Sequence, residues 1–140
     1  MISYGAAITL TLTIVLFMLG FFKYEPIAVL SNSMVPTYTR GDVLIYEKMS
    51  LDDLKKLEVN SIIIYSYHNQ SIAHRIVEIV KKDDKVQYRT MGDNNNAEDP
   101  DLVSVDQIIG VYKTQVKYIG FPSVWLHDFI TEEKAAVETK

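Results

Sequence analysis

Residues Met1–Phe22 carry no charged side chain, and Ile8, Leu10, Leu12, Ile14, Val15, Leu16, Phe17, Met18 and Leu19 dominate the run. A bilayer core of roughly 30 Å takes about 20 apolar residues to cross, and this run just reaches that length. Thr9, Thr11 and Thr13 do not forbid spanning, because their hydroxyls can bond back to helix carbonyls. Phe21, Phe22 and Tyr24 read as an interfacial belt with Lys23 as its anchor. The competing reading is a cleaved leader peptide. It fits less well: no basic segment precedes the run, and the run exceeds the usual apolar core of about 7–15 residues. Lys23-Tyr24-Glu25-Pro26 follows it where a small-residue cleavage site would be needed. The expectation is a retained single-pass membrane anchor over residues 1–23. Almost no basic residues flank it to set its orientation.

The whole chain has 140 residues, enough for one domain with a modest core. A net charge of −4 gives no footprint for nucleic acid. The absence of cysteine excludes disulfides, thiol catalysis and cysteine-ligated metals.

After the anchor, short apolar runs alternate with turn-forming residues. Ile27–Leu30 and Val43–Tyr46 read as strands. Ser50-Leu51-Asp52-Asp53 resembles a capping box and predicts a short helix to about Leu57. Ile62–Tyr65 is continuously apolar, which predicts a strand covered on both faces. A turn at His68-Asn69-Gln70 leads into Ser71–Val80. As a strand, that segment puts Ile72, His74, Ile76 and Glu78 on one face and Ala73, Arg75, Val77 and Ile79 on the other. Lys81–Lys85 reads as a charged turn and Val86–Thr90 as a further strand. Ser104–Gln107 suits a turn of helix, and Ile108–Tyr118 a last strand pair or one bent strand. The expected fold is mainly β, an antiparallel sheet of six or seven strands over residues 24–120. From 121 to 140 the pattern changes. Phe121, Trp125 and Phe129 recur every four residues and Pro122 suits a first helical turn, so the tail predicts an amphipathic helix. Its apolar face has two uses open to it: packing on the domain, or insertion at the bilayer interface.

Three polar segments could carry chemistry. Ser31–Asp42, S-N-S-M-V-P-T-Y-T-R-G-D, is rich in residues that fix turns, so Ser33 sits on a shaped loop. A hydroxyl nucleophile needs a base, and the base needs a partner to hold its tautomer. Of the three histidines, His127 lies in the tail with a surface or interface reading, and His68 lies in a turn. His74 sits within a strand between apolar residues, either packed or as a base. Met91–Asp101, M-G-D-N-N-N-A-E-D-P-D, brings Asp93, Glu98, Asp99 and Asp101 into a segment too polar for a core. It lacks the spacing of a calcium-binding EF-hand loop, and no metal or cofactor is expected.

In order, S-N-S-M-V-P-T with G-D, then A-H-R-I, then G-D-N-N with Asp99 resemble the boxes of the type I signal peptidases. The likeness is greatest to the endoplasmic-reticulum and archaeal branch, and it covers about Leu12–Gly120. Each box alone is weak; their order behind an apolar anchor is more specific. The resemblance implies a membrane-bound serine endopeptidase that removes signal peptides from exported preproteins. It puts the catalytic domain on the extracytoplasmic or lumenal side. It implies Ser33 as nucleophile and His74 as base, where bacterial relatives use lysine. Ser31 would help bind the oxyanion. Asp99 is the favoured partner of His74, and Asp93 a supporting residue. Substrates of the family carry small residues before the cut. Met34 and Ile72 are candidates for lining the pockets that select them, with the peptide docking as an added strand. Membrane lipid and preproteins are the implied partners, with room for accessory membrane subunits. Asn32 stands where the family commonly has glycine. Two other readings stay open: a repressor-like self-cleaving serine protease, and a membrane-tethered β domain that binds partners without catalysis.

Overall fold

The computed structural model describes residues 4–18, 22–83 and 85–138. A first helix, α1, spans Tyr4–Met18. Thr9, Thr11 and Thr13 each donate to the carbonyl four residues earlier, at 2.9 Å, so their hydroxyls are satisfied within the helix. Ile8, Leu10, Leu12 and Ile14 are exposed. The anchor expectation also covers residues 1–3 and 19–21, which lie outside the described residues. Among the described residues no helix is long and apolar enough to cross a membrane.

The body is one seven-stranded antiparallel sheet, which agrees with the expected fold class. Its strands are β1 (Tyr24–Ala28), β2 (Val43–Glu47), β3 (Ile62–Tyr67), β4 (Gln70–Lys82), β5 (Lys85–Met91), β6 (Val103–Ser104) and β7 (Ile108–Val116), in the spatial order β1-β2-β7-β3-β4-β5-β6. Between β2 and β3 lies a short helix α2, Leu51–Leu54, capped by the Ser50 hydroxyl. It ends before the expected Leu57. A helix α3, Phe121–Glu138, closes the chain with Pro122 in its first turn.

β3 lies at the centre and has apolar cover on both faces. Ile63 and Tyr65 pack with Leu54, Ile76, Tyr88, Val103, Ile108 and Val111. Ile62 packs on the other side with Val29, Met34, Tyr38 and Leu44. Burying such side chains is worth about 1.5–3 kcal/mol each, so these two clusters fix the curvature within which the polar loops must close.

β4 alternates as a strand must, but only up to Ile76. Between Ile76 and Glu78 the pairing with β5 slips by one residue. This bulge inverts the alternation beyond it. Glu78 is therefore exposed rather than on the face of His74, and Ile79, opposite Tyr88, packs on the core instead. β4 joins β5 only from Arg75 onward, while Gln70–His74 pair with β3 on the other side. That leaves one edge of Gln70–His74 without a strand partner among the described residues. Lys23, expected as an interfacial anchor, forms an ion pair with Glu47, which Lys113 also holds at 2.6 Å.

Candidate active site

The loop from Val29 to Asp42 leaves β1 and returns to β2. Gly41 takes φ +94°, which glycine adopts without a Cβ clash. Asp42 is buried and its Oδ2 accepts the Thr39 N–H at 3.0 Å, while Oδ1 accepts the Tyr118 N–H at 3.2 Å. The Gly-Asp pair thus closes the loop and ties it to the approach to α3. Val35–Pro36 is a cis peptide bond. Met34 is fully buried against Val29, Tyr38, Leu44 and Ile62. That corrects the expectation that Met34 lines a substrate pocket. A side chain with no accessible surface meets no ligand; Met34 instead nails the loop to the core and fixes Ser33 beside it.

The acidic segment closes over this loop. Asn94 N–H donates to the Ser33 carbonyl at 2.8 Å, and Asn94 Nδ2 donates to the Asn32 carbonyl at 3.2 Å. Asp93 N–H reaches the Met34 sulfur at 3.3 Å. Gly92 is what allows the approach, since a Cβ there would lie 2.6 Å from the Ser33 oxygen.

His74 and Arg75 are neighbours on β4, so their side chains point to opposite faces. Each finds a different carboxylate of the acidic segment. His74 is 7% exposed, and its Nδ1 lies 2.7 Å from Asp99 Oδ2. Its Nε2 lies 3.1 Å from Ser33 Oγ. Arg75 instead binds Asp93 through two contacts, Nε to Oδ1 at 2.8 Å and Nη2 to Oδ2 at 2.6 Å. Thr37 Oγ also donates to Asp93. The Arg75 guanidinium holds the Asp93 carboxyl below the usual carboxylate range, with Thr37 adding to it against the opposing effect of burial.

Ser31 Oγ lies 3.2 Å from Ser33 Oγ. The structure therefore brings Ser31, Ser33, His74 and Asp99 into one chain of polar contacts and keeps Asp93 apart from it. Two residues with no signal in the sequence join that chain. Thr90 Oγ donates to Asp99 Oδ2 at 2.6 Å and Tyr65 OH donates to the same oxygen at 3.0 Å. Burial, the largest cause, raises the Tyr65 phenol above its ordinary pKa, so it stays a donor. With Asp99 accepting, the proton of the neutral imidazole belongs on Nδ1, which leaves the Nε2 lone pair facing the serine hydroxyl. Such an arrangement can take a proton from Ser33 as it attacks an acyl carbon.

A groove of about 600 Å³ opens beside Ser31. One wall is Ile27–Ser31 and the other is Asn69–Ala73, with Tyr38 and Leu44 at its floor and His127 at its rim. Ile72 lines it. The second wall is the edge of β4 that β5 leaves free.

The family model described as signal peptidase, peptidase S26 matches residues 1–85. The chain is 34% identical over 113 residues to the signal peptidase complex catalytic subunit sec11 of Dictyostelium discoideum, covering 74% of this chain and 61% of that protein. It is 33% identical over 101 residues to signal peptidase I W of Bacillus subtilis, covering 71% and 49%. With the SEC11 subunit of Metarhizium acridum it shares 32% over 111 residues, covering 73% and 63%. The chain thus matches between about half and two thirds of the length of these relatives.

Proposed function

The chain belongs to the signal peptidase family, peptidase S26, and on that premise we propose that it is a membrane-bound serine endopeptidase that removes signal peptides from exported preproteins. The observation that carries the reading is the unbroken run from Asp99 Oδ2 through both nitrogens of His74 to Ser33 Oγ, at 2.7 and 3.1 Å.

In the proposed reaction Ser33 Oγ attacks the carbonyl carbon of the scissile bond while His74 Nε2 takes its proton. The Asp99 carboxylate stabilises the imidazolium so formed. The oxyanion is held by the Ser33 N–H and the Ser31 hydroxyl, which turns from Ser33 toward the new charge. His74 gives its proton to the leaving amine, and the acyl group stays on Ser33. Water, deprotonated by His74, then releases the cleaved chain and restores the hydroxyl. Asp93 has a supporting part, keeping the acidic segment on the sheet through Arg75.

The substrate's extended segment would lie between Ile27–Ser31 and Asn69–Ala73, adding a strand to the free edge of β4. Ile72 is then a pocket residue, which suits small side chains before the cut. The uncharged α1, with exposed Ile8, Leu10, Leu12 and Ile14, fits the anchor reading of residues 1–23. The body of residues 24–120 would then work on the extracytoplasmic or lumenal side, with residues 121–140 as an appended helix. By likeness to the subunits called sec11, accessory membrane subunits are proposed partners.

Full-length chain in detergent micelles, mixed with a preprotein, tests this. Cleavage is expected in the native chain and its loss in both Ser33→Ala and His74→Ala, with a serine-reactive phosphonofluoridate labelling Ser33 alone. Cleavage that persists in either variant would end the reading.

A further inference from the structure

The helix α3 packs against the loop that carries Ser33. Phe121 lies over Gly41, where a Cβ would meet its ring at 2.7 Å, and Gly120 N–H donates to the Gly41 carbonyl at 2.9 Å. Val124 is buried against the domain. One turn further, Asp128 forms a two-oxygen ion pair with Arg40 Nη2, the contact to Oδ1 being 2.5 Å. Arg40 is no bystander to the serine loop, because its N–H donates to Asn32 Oδ1 at 3.0 Å. A continuous path therefore runs from α3 through Arg40 and Asn32 to Ser33. Beside Asp128, His127 stands at the rim of the groove with the Ile27–Ser31 wall.

We propose that α3 forms a wall of the peptide groove: His127 contacts the bound chain, and the Arg40–Asp128 ion pair sets that wall's position relative to Ser33. The ligand is an extended, uncharged peptide segment, and its identity as substrate rests on the endopeptidase reading above. The imidazole offers a ring N–H or lone pair to the amides of an extended chain, which strand pairing on one side leaves open. His127 is 52% exposed on its side chain, so it has surface to give to a ligand. Asp128 touches no peptide and is a positioning residue.

Binding can be measured apart from chemistry. On a Ser33→Ala background, the anisotropy of a fluorescein-labelled, alanine-rich peptide spanning a signal-peptide cleavage region gives Kd for the full chain in micelles. His127→Ala and Asp128→Ala should each raise Kd about 3- to 10-fold, the scale of one lost hydrogen bond or packed contact. With Ser33 restored, labelling by a small phosphonofluoridate, which does not fill the groove, should stay within about two-fold of native in both variants, on the same scale as the loss of less than one such contact. Unchanged Kd in both variants overturns the proposal. So does a weakened Kd confined to Asp128→Ala and accompanied by lost labelling, since α3 would then merely support the fold. Failure of the Ser33→Ala parent to bind the peptide also overturns it. If that parent binds but the native chain neither labels nor cleaves, the groove wall stands and the endopeptidase reading falls.

Discussion

His74 Nδ1 lies 2.7 Å from Asp99 Oδ2, and that same oxygen takes the hydroxyls of Thr90 and Tyr65. Three donors converge on one carboxylate oxygen, all of them from buried residues. The carboxylate is thereby fixed in place before any substrate arrives, and it fixes the imidazole in turn. Replacing Asp99 by Asn keeps the size but allows the amide N–H₂ to face Nδ1. That would favour the tautomer with its proton on Nε2, where Ser33 needs a lone pair. Asp99→Asn should lower kcat by about 10²–10⁴-fold with little change in melting temperature, on the pattern of buried triad carboxylates. Steady-state cleavage of a preprotein reads this out; a loss under three-fold would remove Asp99 from the catalytic chain.

The hydroxyl of Thr90 supports Asp99 and touches neither His74 nor the groove. Thr90→Val conserves the branched shape on β5 and deletes the donor. Its expected cost is about 0.5–1.5 kcal/mol in stability, the net worth of one buried hydrogen bond. Turnover should fall by about 3- to 10-fold through a less constrained Asp99, on that same energy scale. The diagnostic is a kcat effect with KM unchanged, because the residue is remote from the peptide. A KM effect alone would contradict this placement.

Asp93 predicts a different dependence. Arg75, first, and Thr37 hold its carboxyl below the ordinary range, so the folded state binds this proton less readily than the unfolded chain. The stabilisation is complete above the unfolded value, about 3.9, and is lost as pH falls through the lower folded value. Asp93→Asn should therefore cost about 1.5–3 kcal/mol at pH 7, the range for hydrogen bonds to charged groups. The gap between native and variant should close below about pH 4. Urea midpoints at pH 7 and in acid measure it. A gap that stays constant with pH would mean the ion pair is not its source.

Much of this site is legible along the chain because special backbone demands special residues. Gly41, Pro36 and Gly92 each mark a place where the loop must turn or approach closely, and the catalytic candidates lie beside them. The pairing of A-H-R with two acidic residues is also legible once β4 is known to be a strand, since alternation sends His74 and Arg75 to different partners. Other features leave no trace. Thr90 and Tyr65 are ordinary strand residues by type, and only tertiary packing turns their hydroxyls toward Asp99. The bulge at Ile76–Glu78 adds one residue to a strand without altering its composition, so simple alternation misplaces Glu78. Met34, next to Ser33, looks like a pocket residue until the loop's curvature turns it inward. His127 is polar on an amphipathic helix; that pattern defines faces, not what stands opposite them.

Ser31 gives the clearest separation of binding from chemistry. Its hydroxyl lies 3.2 Å from Ser33 Oγ in the resting site and is free to turn to an oxyanion. Ser31→Ala removes one donor while the Ser33 N–H remains. A preorganised donor of this kind is worth about 2.7–4 kcal/mol where measured. The expected result is a kcat reduced by about 10²–10³-fold, residual cleavage above the Ser33→Ala background, and KM little altered. Complete loss of Ser33 labelling in this variant would instead make Ser31 a prop for the loop.

Gly92 tests whether the acidic segment must touch the Ser33 loop at all. Its position admits no side chain: a Cβ would lie 2.6 Å from the Ser33 carbonyl oxygen and 2.7 Å from Asn95 Nδ2. The Asn95 amide is a side-chain end and can move, but the Ser33 oxygen is backbone. Gly92→Ala must therefore push the two segments apart, which breaks the 2.8 Å bond from Asn94 N–H to that same oxygen. Overpacking of this sort costs about 1–3 kcal/mol. The displacement acts on Ser33 itself, and a misplacement of about 1 Å at a reacting atom can cost about 10²-fold in rate. Cleavage should fall by that order while the protein still unfolds cooperatively, and Asn94→Ala should give a smaller loss, since its N–H is retained and only the contact to Asn32 goes. Equal activity in Gly92→Ala and the native chain would show that the two loops do not need this contact, and the coupling between the acidic segment and Ser33 would have to run through His74 alone.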